Sequence, residues 1–262
     1  MARSALMTVM IQAVRKAGRN LARDYGEVEN LQVSMKGPGN FVSAADRKTE
    51  KTMIEELQRV RPGWGILTEE SGEIEGTDPS NRWILDPIDG TTNFLHGIPY
   101  FGISLALERA GQIVAGVIYN PASDELFSVE KGTGAFLNDR RMRVAARRAL
   151  ADSVIGCAQP NIGYGDHAAH AAQLRQVAAN SAGIRCFGAS ALDLAYVAAG
   201  RLDGLWVQGL KPWDCAAGVL MIREAGGFAT DFAGRDKAVE TGEIVAGNED
   251  IHGALMKLLG GK

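Results

Sequence analysis

Two carboxylates, Asp86 and Asp89, stand three residues apart in the stretch WILDPIDGTTNF, Trp83–Phe94. Like charges this close repel, so the pair asks for a cation between them. Oxygen donors with no His or Cys beside them favour Mg2+ over Zn2+, held by one or two carboxylates with substrate phosphate and water completing its surroundings. The acids close an apolar run, and the carboxyl ends of strands are where open α/β sheets place ligands. Pro87 stiffens the turn, and Gly90 allows a close backbone approach. Thr91-Thr92-Asn93 are good N-caps, so a helix is expected to start there and offer free N–H groups to a phosphate. Two other acidic sites have a similar setting: Glu69-Glu70 after GILT, and Asp214 after Trp213. If these strand ends converged, one metal would activate water and another would stabilise the leaving oxygen of a phosphate ester. Each piece also has a plainer reading. DPIDG fits a turn with Asp caps, Glu69-Glu70 a solvated pair, and Asp214 a helix N-cap.

These residues need a scaffold, and hydrophobic periodicity supplies one. Leu6, Val9, Met10, Ala13, Val14, Ala17 and Leu21 recur at helical spacing near the N-terminus. A second helix is expected over Ala44–Val60, with Ser43 as N-cap, Asp46 in its first turn and Arg61-Pro62-Gly63 ending it. The intervening SMKGPGNFVSAAD reads as a loop. ISLALE, IVAGVIYN and ELFSVE are β-rich runs separated by turn residues, an antiparallel meander. The second half alternates: strands at SVIGCA, GIRCFG, DGLWVQG and GEIVAGN, with helices over His167–Asn180, Ala189–Ala199, Ala216–Ala225 and His252–Leu259. The order predicts α+β grading into α/β, a single domain over residues 1–262 made of two packed halves, roughly 1–148 and 149–262.

Composition narrows the partners. The net charge of −3 implies no general attraction to nucleic acid, and RMRVAARR, Arg141–Arg148, is the best local basic run. Cys157, Cys186 and Cys215 are odd in number and widely spaced, which fits reduced thiols in the cytoplasm better than a disulfide scaffold. No stretch approaches the about 18 apolar residues of a membrane span, and the N-terminus lacks a signal-peptide core. His96 reads as a surface or supporting residue, His167, His170 and His252 as solvated, and Trp206 and Trp213 as packing residues.

WILDPIDGTTNFLHGIP together with KPWDCAAGVLMIREAGG resembles the two signature motifs of the inositol monophosphatase family, Mg2+-dependent, lithium-sensitive phosphatases. The likeness covers essentially the whole chain, including TEES, ALDLAYVAAGRLDG and IVAGNEDIHGALMKLL, and is greatest to the bacterial branch named for an extragenic suppressor. It implies an αβαβα sandwich that forms a cytoplasmic homodimer and cleaves inositol monophosphate or a related polyol or sugar phosphate with two to three Mg2+ ions. By the same resemblance, Glu69, Asp86 and the carbonyl of Ile88 hold the first ion. Asp86, Asp89 and Asp214 hold the second, and a third lies near Glu69. Thr91 with Glu69 positions the attacking water. Backbone N–H groups of Gly90 and Thr91 hold phosphate, Gly188, Ala189 and Ser190 face the substrate, and Lys36 with Asp46 matches the family's mobile loop. One departure stands out. Many members carry a Glu seven residues before the second-motif Asp, binding inositol hydroxyls, where this chain has Val207. Val accepts no hydrogen bond, which puts inositol preference in doubt. The alternatives are a nucleotide 3′-phosphate, fructose 1,6-bisphosphate or histidinol phosphate. The suppressor branch also associates with transcription and ribosomal-RNA machinery, for which Arg141, Arg143, Arg147 and Arg148 are the candidate surface.

Overall fold

The structure, a computed structural model, describes residues 3–27, 33–37, 40–160 and 165–260, and within 33–42 it describes the backbone only. Helix α1, Ala5–Gly26, begins at Ser4, whose side chain accepts from the Met7 N–H, and buries Met10, Val14, Ala17 and Leu21 along one stripe. Strands β1, Val33–Gly37, and β2, Asn40–Ser43, pair antiparallel with Val33 opposite Ser43. The stretch expected as a loop is thus a two-stranded ribbon, held by its backbone ladder. Helix α2, Ala44–Val60, starts with a capping box in which Ser43 and Asp46 satisfy each other's backbone N–H.

Next come β3, Trp64–Thr68, β4, Gly72–Ile74, and β5, Asp78–Asp89. A single turn of helix, α3, Thr91–Leu95, follows. Then the predicted meander appears as β6, Gly102–Arg109, β7, Gln112–Asn120, β8, Glu125–Glu130, β9, Gly134–Leu137, and the short β10, Arg140–Arg141. Ala110 and Gly111 both take positive φ, 48° and 75°, the turn whose twist matches an antiparallel hairpin. These strands form an eight-stranded sheet ordered β10-β9-β8-β7-β6-β5-β3-β4, in which β5 runs parallel to β3 and antiparallel to β6.

The second half supplies β11, Val154–Cys157, α4, His167–Ala178, β12, Gly183–Arg185, α5, Ser190–Ala198, β13, Gly204–Val207, α6, Pro212–Glu224, β14, Phe228–Thr230, α7, Ala238–Thr241, β15, Ile244–Gly247, and α8, Glu249–Leu258. Its sheet is ordered β12-β11-β13-β15-β14. Helix α6 starts four residues before the predicted Ala216, because Pro212 suits the first helical turn.

Three apolar cores stack these elements into five layers. One core joins α1 and α2 to the large sheet, a second lies between the sheets around α5 and α6, and a third joins the small sheet to α8 and α4. Two histidines expected in solvent are engaged in this stack. His170 is buried, its ring stacked 6.2 Å from the Trp206 ring, and His252 is half-buried with Nε2 2.8 Å from the Thr230 hydroxyl. Single-residue context in the sequence carries no sign of either contact. Among the described residues no helix is long and apolar enough to cross a membrane.

Candidate active site

The acids meet where β5 breaks its register. Asp86 faces Ser104 and Asp89 faces Gly102, so three steps on β5 answer two on β6. Such a bulge re-aims side chains, and here it carries Asp86 and Asp89 into one buried spot, 2% and 8% exposed. Asp86 Oδ1 accepts from the Ile88 N–H at 2.9 Å. Burial, then the charges of Glu69, Asp89, Asp214 and Asp46, push its carboxyl well above the ordinary carboxylate range. Asp89 is raised by burial and by Asp214, against the N–H groups of Ala191 at 2.7 Å and Ser190 at 3.1 Å that open helix α5. Asp214, half-buried in the first turn of α6, is pushed by burial up to about 6, although the Lys211 N–H donates to it at 2.7 Å.

Glu69 follows β3, where its N–H donates to the Leu85 carbonyl at 3.3 Å. Its neighbours are clamped by Glu50 of α2, a buried carboxylate that accepts from the Thr68 hydroxyl, the Glu70 N–H at 3.0 Å and the Ser71 hydroxyl. Sequence reasoning missed Glu50; the available signal was its place one turn after Asp46, on the same helix face. Asp46 itself is fully buried. Ser43 holds its Oδ2 through N–H and hydroxyl at 2.7 and 2.6 Å, and Oδ1 lies 3.1 Å from the Thr91 hydroxyl. Burial raises the Asp46 carboxyl against these hydrogen bonds. The Thr91 hydroxyl also lies 3.0 Å from the Ile88 carbonyl, and its single proton serves one acceptor at a time.

The second half closes over this centre. Gly90 has φ 88°, and a Cβ there would sit 3.0 Å from Ala189 Cβ and 3.2 Å from the Gly188 carbonyl, so a bare backbone is required. Asn93 Nδ2 donates to the carbonyls of Tyr100 and Phe187, both at 2.7 Å, tying α3 to the Gly188–Ser190 loop. The Ser104 hydroxyl donates to the Trp213 carbonyl at 3.0 Å and so holds the approach to Asp214. The structure therefore brings Glu69, Asp86, Ile88, Asp89, Gly90, Thr91, Asp46, Asp214, Gly188, Ala189 and Ser190 together. Val207 is buried on β13, paired across from Ile244, in the same apolar core as Ala189. Lys36 lies on β1, and its side chain falls outside the described residues.

Among the described residues, no group of three or more His, Cys, Asp or Glu is gathered tightly enough to hold an ion by itself. The donors present are carboxylates and a carbonyl, and the like charges of Glu69, Asp89, Asp214 and Asp46 act together on Asp86. That set fits Mg2+, which keeps several waters and takes substrate oxygens.

The description of the Inositol monophosphatase family matches residues 2–261. The chain belongs to this family. A relative from Mesorhizobium japonicum named inositol-1-monophosphatase is 61% identical over 257 residues, 98% of this chain and 97% of that protein. The Nus factor SuhB of Escherichia coli is 39% identical over 251 residues, 96% of this chain and 94% of its own. The crystal structure of the extragenic suppressor protein suhB from Bartonella henselae superposes with a TM-score of 0.95 at 58% identity, covering 98% of both chains. As a member of the inositol monophosphatase family the chain is a phosphoric monoester hydrolase, of a family that generally depends on Mg2+.

Proposed function

We propose that the chain hydrolyses inositol 1-phosphate, with two to three Mg2+ ions held by Glu69, Asp86, the Ile88 carbonyl, Asp89 and Asp214. The observation that carries this reading is the crowding of four like charges around buried Asp86. A buried cluster of one sign in this position is what a cation would relieve. When bound, Mg2+ supplies Lewis acidity toward the phosphate and lowers the pKa of water.

The chain's own residues do the rest. The Thr91 hydroxyl donates to Asp46, which leaves its lone pairs free to receive a proton from the attacking water and relay one onward. Burial of Asp46 strengthens it as that acceptor. Glu69 orients the same water, steadied by the Glu50 clamp on both its neighbours. Backbone N–H groups of Gly90 and Thr91 hold the phosphate, and Gly188, Ala189 and Ser190 line the alcohol side.

The test is phosphate release from inositol 1-phosphate with Mg2+ and with chelator, using Asp89→Asn as control. Turnover that survives chelation would refute the reading. Apolar, core-packed Val207 supports a second one, in which the same machinery serves fructose 1,6-bisphosphate, histidinol phosphate or a nucleotide 3′-phosphate. The two are separated by kcat/KM across that panel, and a strong preference for inositol 1-phosphate excludes the second.

The likeness to a Nus factor supports a further role with transcription machinery; the ribosomal-RNA partner, the cytoplasmic location and the homodimer rest on the family resemblance of the sequence motifs. Of the candidate arginines, Arg147 pairs with buried Asp203 at 3.0 Å and Arg148 with Asp250 at 3.5 Å, so Arg141 and Arg143 are the stronger contacts for such a partner. Pull-down indifferent to Arg141→Ala and Arg143→Ala would rule that surface out.

A further inference from the structure

We propose that Cys157 and Cys186 form a reversible oxidation site, at which a hydroperoxide joins the two thiols in an intramolecular disulfide at the root of the Gly188–Ser190 loop. Cys157 ends β11 and Cys186 directly follows β12. The two strands run parallel with Val154, Ile155 and Gly156 opposite Gly183, Ile184 and Arg185. One more step of that register sets Cys157 opposite Cys186. Neighbouring strands lie about 4.8 Å apart, inside the separation of about 4.4–6.8 Å that a disulfide spans between Cα atoms. The two Sγ atoms are already 2.7 Å apart. Closing the bond therefore asks for a side-chain adjustment and no strand movement.

The two thiols differ as an oxidation pair requires. Cys186 is exposed and meets the oxidant, while Cys157 is buried beneath it. The Cys157 S–H stabilises the neighbouring thiolate, which lowers Cys186 to about 7, and the same hydrogen bond together with burial raises Cys157. Cys186 is thus the nucleophile. Its thiolate attacks one oxygen of the hydroperoxide, the O–O bond breaks, and the departing alkoxide takes up a proton to leave as an alcohol. The sulfenic acid formed on Cys186 is then attacked by the Cys157 sulfur; the S–O bond breaks and water leaves with the Cys157 proton. Two thiols lose two electrons, the hydroperoxide gains them, and a dithiol reverses the change. Disulfides formed in reducing surroundings are typically of this transient, redox-sensing kind.

The site also has something to act on. Phe187, next to Cys186, is the residue whose carbonyl Asn93 grips, and the chain then runs through Gly188 to the N–H groups that hold Asp89. A bond to β11 anchors that segment from its other end.

Thiol titration and peptide mapping of the full chain after treatment with hydrogen peroxide test the proposal without reference to phosphatase activity. We expect the three thiols of the sequence to fall to the single thiol of Cys215, with a linked Cys157–Cys186 peptide that dithiothreitol releases. In Cys157→Ser, Cys186 should progress to sulfinic acid, while Cys215→Ser should still form the link. Amide exchange over Phe187–Ala191 should slow by about tenfold on oxidation. Retention of all three thiols, a sulfinic acid on wild-type Cys186, or a disulfide between two chains would overturn the site. Unchanged exchange would overturn its hold on the loop.

Discussion

Asp86 and Asp231 are both buried carboxylates at strand ends, 2% and 0% exposed, yet the fold treats them in opposite ways. Asp231, following β14, is ringed by donors: the Ala233 N–H at 3.0 Å, the Arg235 N–H at 2.8 Å and the Arg235 guanidinium at 2.7 Å. Burial works to raise its carboxyl, but the Arg235 contacts outweigh it and the net direction is down. Asp86 receives one backbone N–H and faces four other acids. The first arrangement is complete, and the second is the one to which our proposal assigns the Mg2+ site. Burial alone therefore does not mark a functional acid; the sign of its surroundings does.

The sharpest way to break this contrast is Asp86→Asn. Loss of a ligand worth about 4 kcal/mol of transition-state stabilisation lowers kcat/KM by about 10³-fold, read by phosphate release. The same change should raise the melting temperature of the metal-free protein, since it removes a repelling charge; a drop would make Asp86 a structural acid like Asp231. Asn93→Ala should follow, with kcat/KM down about 10–100-fold, the scale of losing a support behind a metal site, and with Mg2+ affinity measured alongside. Asp231→Ala inverts the pattern: stability falls by about 1–3 kcal/mol in denaturant unfolding as its donors lose their partner, while kcat holds.

The gentlest probe is pH. Asp214 and Asp193, raised by burial to about 6 and about 7, hold protons in the folded state that the unfolded chain releases. Their contribution to stability is whole below the ordinary carboxylate pKa of 3.8 and is lost as pH rises through about 6 and 7. Lowered Asp231 acts with the opposite sign, its contribution lost only as pH falls into the acid range. Melting in chelator should therefore weaken by about 4 kcal/mol between about pH 5 and pH 8, about a third of it from Asp214 and the rest from Asp193, and saturating Mg2+ should remove the Asp214 share. A flat profile without Mg2+ would mean the acids are already compensated.

Much of this was legible in the sequence because it is local. The Ser43–Asp46 cap, the meander turns and the strand ends at Asp86 and Glu69 follow from spacing. What escaped is relational. The bulge that aligns Asp86 with Asp89 exists only against β6. Glu50 gains its meaning from a loop about twenty residues on, the contact distance in sequence being 18–21. The Thr91–Asp46 contact joins residues 45 apart. The β1–β2 ribbon escapes notice because the glycines and proline of KGPGN read as loop punctuation, and the stacking of His170 on Trp206 depends on two layers meeting.

The helical filling between the sheets has one more implication. Residues of α5 and α6 share a single core with Ile84, Ala106, Ile118 and Phe127 of the large sheet and with Leu205, Ile244 and Ala246 of the small one. Cutting the polypeptide near residue 148 would strip an oily face on each fragment, so the severed pieces should be insoluble apart and regain turnover only when produced together.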